Sequence, residues 1–191
     1  SESLSQLSSL LESPAEDRLA ALASFAQNSL GNGAGDDKAF KKALCQAVAQ
    51  IVKNGEGSGP ERVLFGEILG QLGDPRLLCP ADASYWAPIQ DEDIQIEVGR
   101  HPVTHSEFAA FVTSDAFQND AHWTSDGLAW RDSNAKTWSF LATRVDPALV
   151  VPNQPVVGAT WFEAMAYASS IGARLPTVSE RLLIVRGIEK R

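Results

Sequence analysis

The 191-residue sequence predicts an α+β protein, in which a helical bundle over residues 1–79 precedes a mixed region over residues 80–191. In the first region, apolar residues recur at helical spacing between two glycine-rich loops. From Cys79 onward prolines accumulate and all five tryptophans occur. Residues 94–98 alternate between apolar and polar side chains, which is typical of a half-buried strand. We therefore expect the architecture to change near residue 80.

Composition and charge restrict the classes of function. Hydrophobic residues make up 44% of the chain, and no apolar run approaches the roughly 20 residues that a membrane span needs. The formal net charge of −8 at pH 7 disfavours nucleic acid and anionic membranes as partners. Only two cysteines occur, and the N-terminal residues do not resemble a signal peptide, so we expect a reducing, cytoplasmic location.

Capping signals define helices within the first region. Ser13-Pro14-Ala15-Glu16 combines an N-cap residue, a proline at the first helical position and a glutamate three places after the cap, which predicts a helix start. Apolar residues at helical spacing from Phe40 to Val52 predict the next helix, which Asn54-Gly55 ends. Pro60 opens a further helix that Gly73-Asp74-Pro75 terminates.

The phrase ILGQLGDPRLL at residues 68–78 resembles the helix–turn signature of HEAT-like repeats. Only one copy is present in the sequence. Because a solenoid needs stacked neighbours to bury each repeat, a single copy favours a compact bundle. We therefore expect residues 1–79 to form a helical bundle with a HEAT-like end.

Short elements follow in the second region. Thr104 and Glu107 form a capping box, which predicts a helix whose phenylalanines face inward. Residues 128–131 and 137–140 carry aromatic side chains on one face and are joined by a polar segment, which predicts a β-hairpin. The region should therefore combine short helices, hairpins and long loops.

Two further capping boxes lie near the end of the chain. Thr160 is followed three residues later by Glu163, and Thr177 is followed in the same way by Glu180. We expect the first of these helices to expose Glu163 to solvent and to end at Gly172. Helix ends are thus specified more clearly than strand pairings.

Four phrases occur in an order that resembles one known family. HPVTHSEFAAFV is similar to P-V-T-N-x-x-[FY]-x-x-F, WTSDGLAWRD to a Trp-rich hairpin, NQPVVGATWFEAMAYA to P-V-V-G-V-S-W-x-[DE]-A-x-A-Y, and ARLPTVSERL to R-L-P-T-E-x-E-W-E. The chain thereby resembles the formylglycine-generating-enzyme-like (sulfatase-modifying-factor) domain, which has a C-type-lectin-like fold. The resemblance implies that residues 80–191 are the N-terminal part of such a domain, incomplete at its C-terminus.

The resemblance also implies a chemistry, whose cofactor ligands have no counterpart here. Formylglycine-generating enzymes oxidise a substrate cysteine with copper held by two cysteines in the later part of the domain, and Cys45 and Cys79 match no family position. Related sulfoxide synthases bind iron through histidines of a separate helical domain, whereas residues 1–79 contain no histidine. We therefore expect this chain to hold no cofactor.

Candidate site residues are few. His101 and His105 cannot share a helical face, because the Thr104 cap places His101 before the helix, and zinc usually needs three or four protein ligands. We expect no metal site and no catalytic residue. The polar setting of one tryptophan makes it the best candidate for an exposed contact with a partner. The predicted partner-binding residues are His122, Trp123 and Asp126. The tryptophans expected in the core are Trp130, Trp138 and Trp161.

Two functions remain open. The first is a non-catalytic binding or regulatory module, as a component or fragment of a bacterial signalling or defence protein. The alternative is one half of a formylglycine-generating-type oxidase or related enzyme, completed by a second polypeptide or by a C-terminal segment removed after the dibasic Lys190-Arg191. In either case the helix after Thr177 should leave apolar surface uncovered. We therefore expect a protein partner, the missing part of the domain, or an oligomer.

Overall fold

The computed structural model describes residues 2–31, 37–91, 94–134 and 150–189. The chain divides into two compact units. Unit 1 consists of Ser1–Arg76 together with Val151–Asn153, and unit 2 consists of Leu77–Val150 and Gln154–Arg191. The order of elements is helical first and mixed afterwards, which confirms the predicted α+β class.

In its described residues, unit 1 is a bundle of four helices. These are α1 (Glu2–Glu12), α2 (Ala15–Gly31), α3 (Lys38–Lys53) and α4 (Gly59–Leu72). Their apolar faces meet in one core, as the helical spacing predicted. The fully buried members with the largest side chains are Leu22, Phe40, Leu44, Phe65, Ile68 and Leu69.

The predicted end of α3 is confirmed, and its start is capped. Asp37 caps α3, because its carboxylate accepts from the backbone N–H groups of Ala39 and Phe40 at 2.9 and 3.2 Å. The helix ends at Asn54, and Gly55 follows with a φ of 69°, a conformation that glycine adopts without strain.

The short segment Val151–Asn153 belongs to unit 1 although it is far away in sequence. The Asn153 carboxamide nitrogen donates to the carbonyl of Gly66 at 2.9 Å and to the carboxylate of Asp74 at 3.0 Å. Burial raises the pKa of Asp74, but hydrogen bonds from Arg76 and Asn153 outweigh this effect, so its pKa lies below the ordinary value. One carboxamide therefore fixes both the middle and the C-terminal end of α4.

Unit 2 contains one two-stranded sheet and five short helices among the described residues. The elements are β1 (Trp86–Gln90), β2 (Gln95–Gly99), α5 (His105–Val112), α6 (Asp115–Gln118), α7 (Ser125–Asn134), α8 (Trp161–Ser170) and α9 (Val178–Glu189). The strands are antiparallel, with Ile89 opposite Ile96 and Ala87 opposite Val98. The predicted strand at residues 94–98 is therefore confirmed with a shift of one residue.

The core of unit 2 is aromatic. Phe111 contacts Phe117 and Tyr167 with ring centroids 5.4 and 5.5 Å apart, and Phe117 lies edge-on to Trp123 at 5.1 Å. Such edge-to-face pairs add about 0.5–1.5 kcal/mol each to the burial of their area. The core is therefore built on α5, α6 and α8, and the strands contribute no fully buried residue.

The hairpin predicted around residues 128–131 is wrong, because these residues lie within α7. Thr124 starts the helix: its carbonyl accepts from Leu128 N–H at 2.9 Å, and its hydroxyl accepts from Gly127 N–H at 3.1 Å. The Thr-Ser-Asp start is a capping signal that outweighs the aromatic pattern. The second predicted strand, residues 137–140, lies outside the described residues.

Candidate functional site

A cavity of about 870 Å³ lies in unit 2 between the sheet, α8 and the segment that leads into α9. Its walls are mostly apolar, with Ile96, Val98 and Ile171 among them. The polar groups that line it include Tyr85 and Tyr167. An apolar cavity of this size with a few polar groups is typical of sites for small organic molecules.

The two tyrosines of the cavity share one carboxylate. Tyr85 precedes β1, Tyr167 lies on α8, and both phenol groups donate to the same oxygen of Glu107 on α5, the first at 3.0 Å. Glu107 stands at the third position of α5, where its other oxygen accepts from the backbone N–H of Thr104. A residue that the sequence marked only as a helix cap therefore joins three elements of unit 2.

This arrangement keeps both phenols protonated. Burial and the charge of Glu107 raise the pKa of Tyr85 to about 12. Burial and the hydrogen bond to Glu107 raise the pKa of Tyr167 further. At neutral pH the cavity therefore presents two phenols that are already engaged as hydrogen-bond donors.

The capping box at the start of α8 holds a buried carboxylate. The Glu163 carboxylate accepts from the N–H and the hydroxyl of Thr160 at 2.7 and 2.6 Å. The box of α8 is therefore confirmed. The expectation that Glu163 is exposed is wrong: the side chain is 0% exposed, because the box turns it back onto its own helix start.

Glu180 combines a cap with an ion pair. Its carboxylate accepts from the backbone N–H of Thr177 at 2.7 Å, and both oxygens bind the Arg174 guanidinium at 2.7 Å. The hydrogen bond from Arg174, followed by that from Thr177, lowers the pKa of Glu180 to about 2. This pair closes the turn between α8 and α9.

The predicted partner-binding residues are only partly at the surface. Asp126 is exposed, and His122 is half-buried with Nδ1 at 3.3 Å from the Ser169 hydroxyl. Trp123 is 8% exposed, and its indole N–H donates to the Phe117 carbonyl at 2.9 Å. The expectation that Trp123 is exposed is therefore wrong, and the partner-binding role of these three residues stays a prediction.

The other tryptophans differ in their exposure to solvent. Trp130 packs against the core of unit 2, as expected. Trp161 is 59% exposed, so its predicted core position is wrong. As the first residue of α8 it stands at the rim of the unit, before the helix turns its apolar face inward. Trp138 lies outside the described residues.

The described His and Cys side chains stand in separate local settings. His101 is exposed before α5, whereas His105 is buried at its first position. Cys45 packs against the helical core of unit 1, and the Cys79 thiol donates to the Asp82 carboxylate at 3.2 Å. Across the described parts of the chain, no three His, Cys, Asp or Glu side chains come together in a group that could hold a metal. Among these described residues, the copper that the resemblance implies has no ligand set.

The described helices also bear on membrane insertion. None of them is long and apolar enough to cross a bilayer.

Comparison with known proteins gives the family context. A family model described as the sulfatase-modifying factor enzyme 1-like domain matches residues 73–191, more than half of the chain. The hercynine oxygenase of Mycolicibacterium thermoresistibile is 38% identical over 90 residues, which cover 44% of this chain and 20% of that protein. The formylglycine-generating enzyme of Thermomonospora curvata is 30% identical over 111 residues, or 47% of this chain and 37% of that protein.

The similarity extends to a further class of protein. The serine/threonine-protein kinase pkn1 of Chlamydia caviae is 32% identical over 80 residues, which cover 42% of this chain and 12% of the kinase. No solved structure matches the chain significantly. The chain spans about a fifth to about a quarter of the length of the hercynine oxygenases that it matches.

These findings correct the first functional expectation. Four of these relatives are named as hercynine oxygenases or formylglycine-generating enzymes, which are enzymes, so the preference for a non-catalytic binding module is wrong. They favour the alternative, in which the chain is part of an enzyme.

Proposed function

Because the chain belongs to the family of sulfatase-modifying factor enzyme 1-like domains, we propose that it is part of an oxidising enzyme of the oxygenase type. The observation that carries this proposal is the 38% identity with a hercynine oxygenase over 90 residues. The identity with a formylglycine-generating enzyme is lower, at 30%. Hercynine is therefore the first substrate to test, and a cysteine-containing peptide is the second.

The described residues supply the scaffold of this enzyme. Three of their carboxylates have structural partners: Glu107 accepts from two phenols, Glu163 caps α8, and Glu180 binds Arg174. Groups that are held in this way are poorly placed to exchange protons with a substrate. We assign the reacting groups to polypeptide beyond the described residues, supplied by a second chain or by a further segment. The cytoplasmic location stays a prediction from the sequence.

The test uses the complete protein in which this chain occurs. Oxygen consumption and product mass are measured with hercynine, with and without an added thiol, and separately with a cysteine-containing peptide. We expect oxidation of one of the two substrates. If neither is oxidised under aerobic conditions by protein supplied with iron or copper, the proposal is wrong.

A variant separates a scaffold role from a catalytic one. Tyr85→Phe removes one hydrogen bond to Glu107 but keeps the aromatic ring. We expect it to lower the free energy of unfolding by about 1.5–3 kcal/mol, the usual contribution of a hydrogen bond to a charged group. Turnover per folded molecule should stay unchanged. Loss of turnover in a fully folded variant would instead place Tyr85 in the catalytic machinery.

A further inference from the structure

Helix α9 carries an apolar stripe on its solvent side. The three side chains Val178, Leu182 and Val185 are 79%, 55% and 47% exposed. Their spacing of four and three residues places them on one face of the helix. Single exposed apolar residues are common, but three that line up on one face indicate an interaction surface.

The stripe is not the face with which α9 packs onto its own unit. Glu180 is 7% exposed and bound to Arg174, and Ile184 lines the cavity. These two residues mark the inward side of the helix. The stripe is therefore a second apolar face that unit 2 does not cover within the described residues.

The stripe is also a departure of this chain from the phrase that it resembles. In R-L-P-T-E-x-E-W-E, the positions of Val178 and Leu182 are both occupied by glutamate. Glutamate is almost never fully buried without a partner, so these positions suit the surface of the domain. Apolar side chains at two such positions indicate a contact made by the finished domain and not a core contact within it.

Positive charge borders the stripe on both sides. With about 100° of rotation per residue, Arg181 falls on one side of Leu182 and Val185, and Arg186 falls on the other. Both arginines are exposed. A partner that matches this surface has an apolar helix face bordered by carboxylates, as in other helix–helix recognition.

Two other occupants fit less well. A second copy that paired stripe to stripe would bring the arginines of both helices together, which is unfavourable. An anionic membrane would attract the arginines but repel a chain with a net charge of −8. We infer that the Val178–Leu182–Val185 stripe of α9 docks an amphipathic helix of another polypeptide, whose apolar face is flanked by acidic side chains.

The test uses two synthetic peptides as probes. Both form an amphipathic helix of about three heptads with a leucine stripe, flanked in one peptide by glutamates and in the other by lysines. Fluorescence anisotropy measures binding of each labelled peptide to the protein. We expect saturable binding of the glutamate peptide, weakened by salt, and no binding of the lysine peptide.

Matched variants locate the binding surface. Leu182→Glu should weaken binding of the glutamate peptide by about tenfold or more, as expected for a central interface residue. Val63→Glu, which replaces a residue 62% exposed on α4 of unit 1, is the control and should leave binding unchanged. Circular dichroism of each variant verifies that it is folded, and Val185→Glu replaces Leu182→Glu if that variant is not.

Four outcomes would overturn the inference. The first two are that the glutamate peptide does not bind, or that both peptides bind equally well. The other two are that Leu182→Glu and Val63→Glu weaken binding equally, or that another partner occupies the stripe. The last is measured by sedimentation, where self-association abolished by Leu182→Glu indicates a second copy, and by flotation with vesicles that contain phosphatidylserine. The inference concerns a surface away from the cavity, so it does not depend on which substrate the enzyme oxidises.

Discussion

Gly70 and Asn153 lie so close that a β-carbon on Gly70 would come within 2.5 Å of the Asn153 carboxamide oxygen and 3.0 Å of a Val151 methyl group. The carboxamide cannot move away without loss of its hydrogen bonds to Gly66 and Asp74. The absence of a side chain at residue 70 is therefore a condition for the way in which Asn153 binds α4.

Gly70→Ala should destabilise unit 1. The overpacked methyl group costs about 1–3 kcal/mol, which exceeds the gain of up to about 1 kcal/mol in helix propensity. Gly66→Ala on the same helix is the matched control, because a β-carbon there meets nothing within 4 Å. It should stabilise the protein by about 0.5–1 kcal/mol. Urea unfolding of both variants measures the difference, and an equal effect of the two substitutions would contradict this packing.

Asn153→Ala should destabilise the protein by about 1–3 kcal/mol, because the half-buried carbonyl of Gly66 and the Asp74 carboxylate each lose a donor. Asn28→Ala on the exposed side of α2 is the control and should have little effect. In the Asn153→Ala background, Gly70→Ala should cost at least about 1 kcal/mol less than in the wild type. Additive effects in this double-mutant cycle would show that the two residues do not interact.

In the folded protein, the tyrosines should ionise at a higher pH than in the unfolded chain. The chain contains two tyrosines, and both donate to Glu107. The folded pKa of Tyr85 is about 12, above the unfolded value of roughly 10. The stability that the raised pKa provides is therefore present below pH 10 and is lost as the pH rises through 12.

Ultraviolet absorbance of tyrosinate measures this directly, with circular dichroism as the check on folding. We expect little ionisation at about pH 10.5 in the native state, and a sharp rise when the protein unfolds. Glu107→Gln removes the negative charge and should lower the pKa of both tyrosines. Ordinary titration of both groups in a fully native protein would refute the shared carboxylate.

Glu180 should govern part of the acid stability. Its pKa falls from an ordinary 4.5 to about 2 on folding. Because folding lowers the pKa of this carboxyl group, the stabilisation is present above pH 4.5 and is lost as the pH falls towards 2. Glu180→Gln should therefore lower stability at neutral pH and lose less of it on acidification. Urea midpoints at pH 7 and at about pH 3 test this, with the exposed Glu97→Gln as the control expected to behave like wild type.

Local capping chemistry explains what could be predicted from the sequence. The boxes at Thr104, Thr160 and Thr177 depend on residues three positions apart, so their helix starts follow from the chain alone. The position of Trp123 does not. A polar setting in the sequence gives no sign that its indole reaches the Phe117 carbonyl, because that contact depends on how α6 and α8 pack.

Strand β1 was missed for a related reason. Pro88 lies in its middle and cannot donate to a ladder, which argues against a strand when only the sequence is considered. The strand forms because it has one partner and needs donors on one side only. The double use of Glu107 was also hidden, since a glutamate at the third helical position has a sufficient explanation in its cap.

The placement of Val151–Asn153 in unit 1 has a consequence for synthesis on the ribosome. Gly66 and Asn153 are 87 residues apart. At translation rates of about 5–20 residues per second, the carbonyl of Gly66 stays without its partner for about 4–17 seconds after it is made. The helical unit emerges first but completes its hydrogen bonds only when most of the other unit has also been translated.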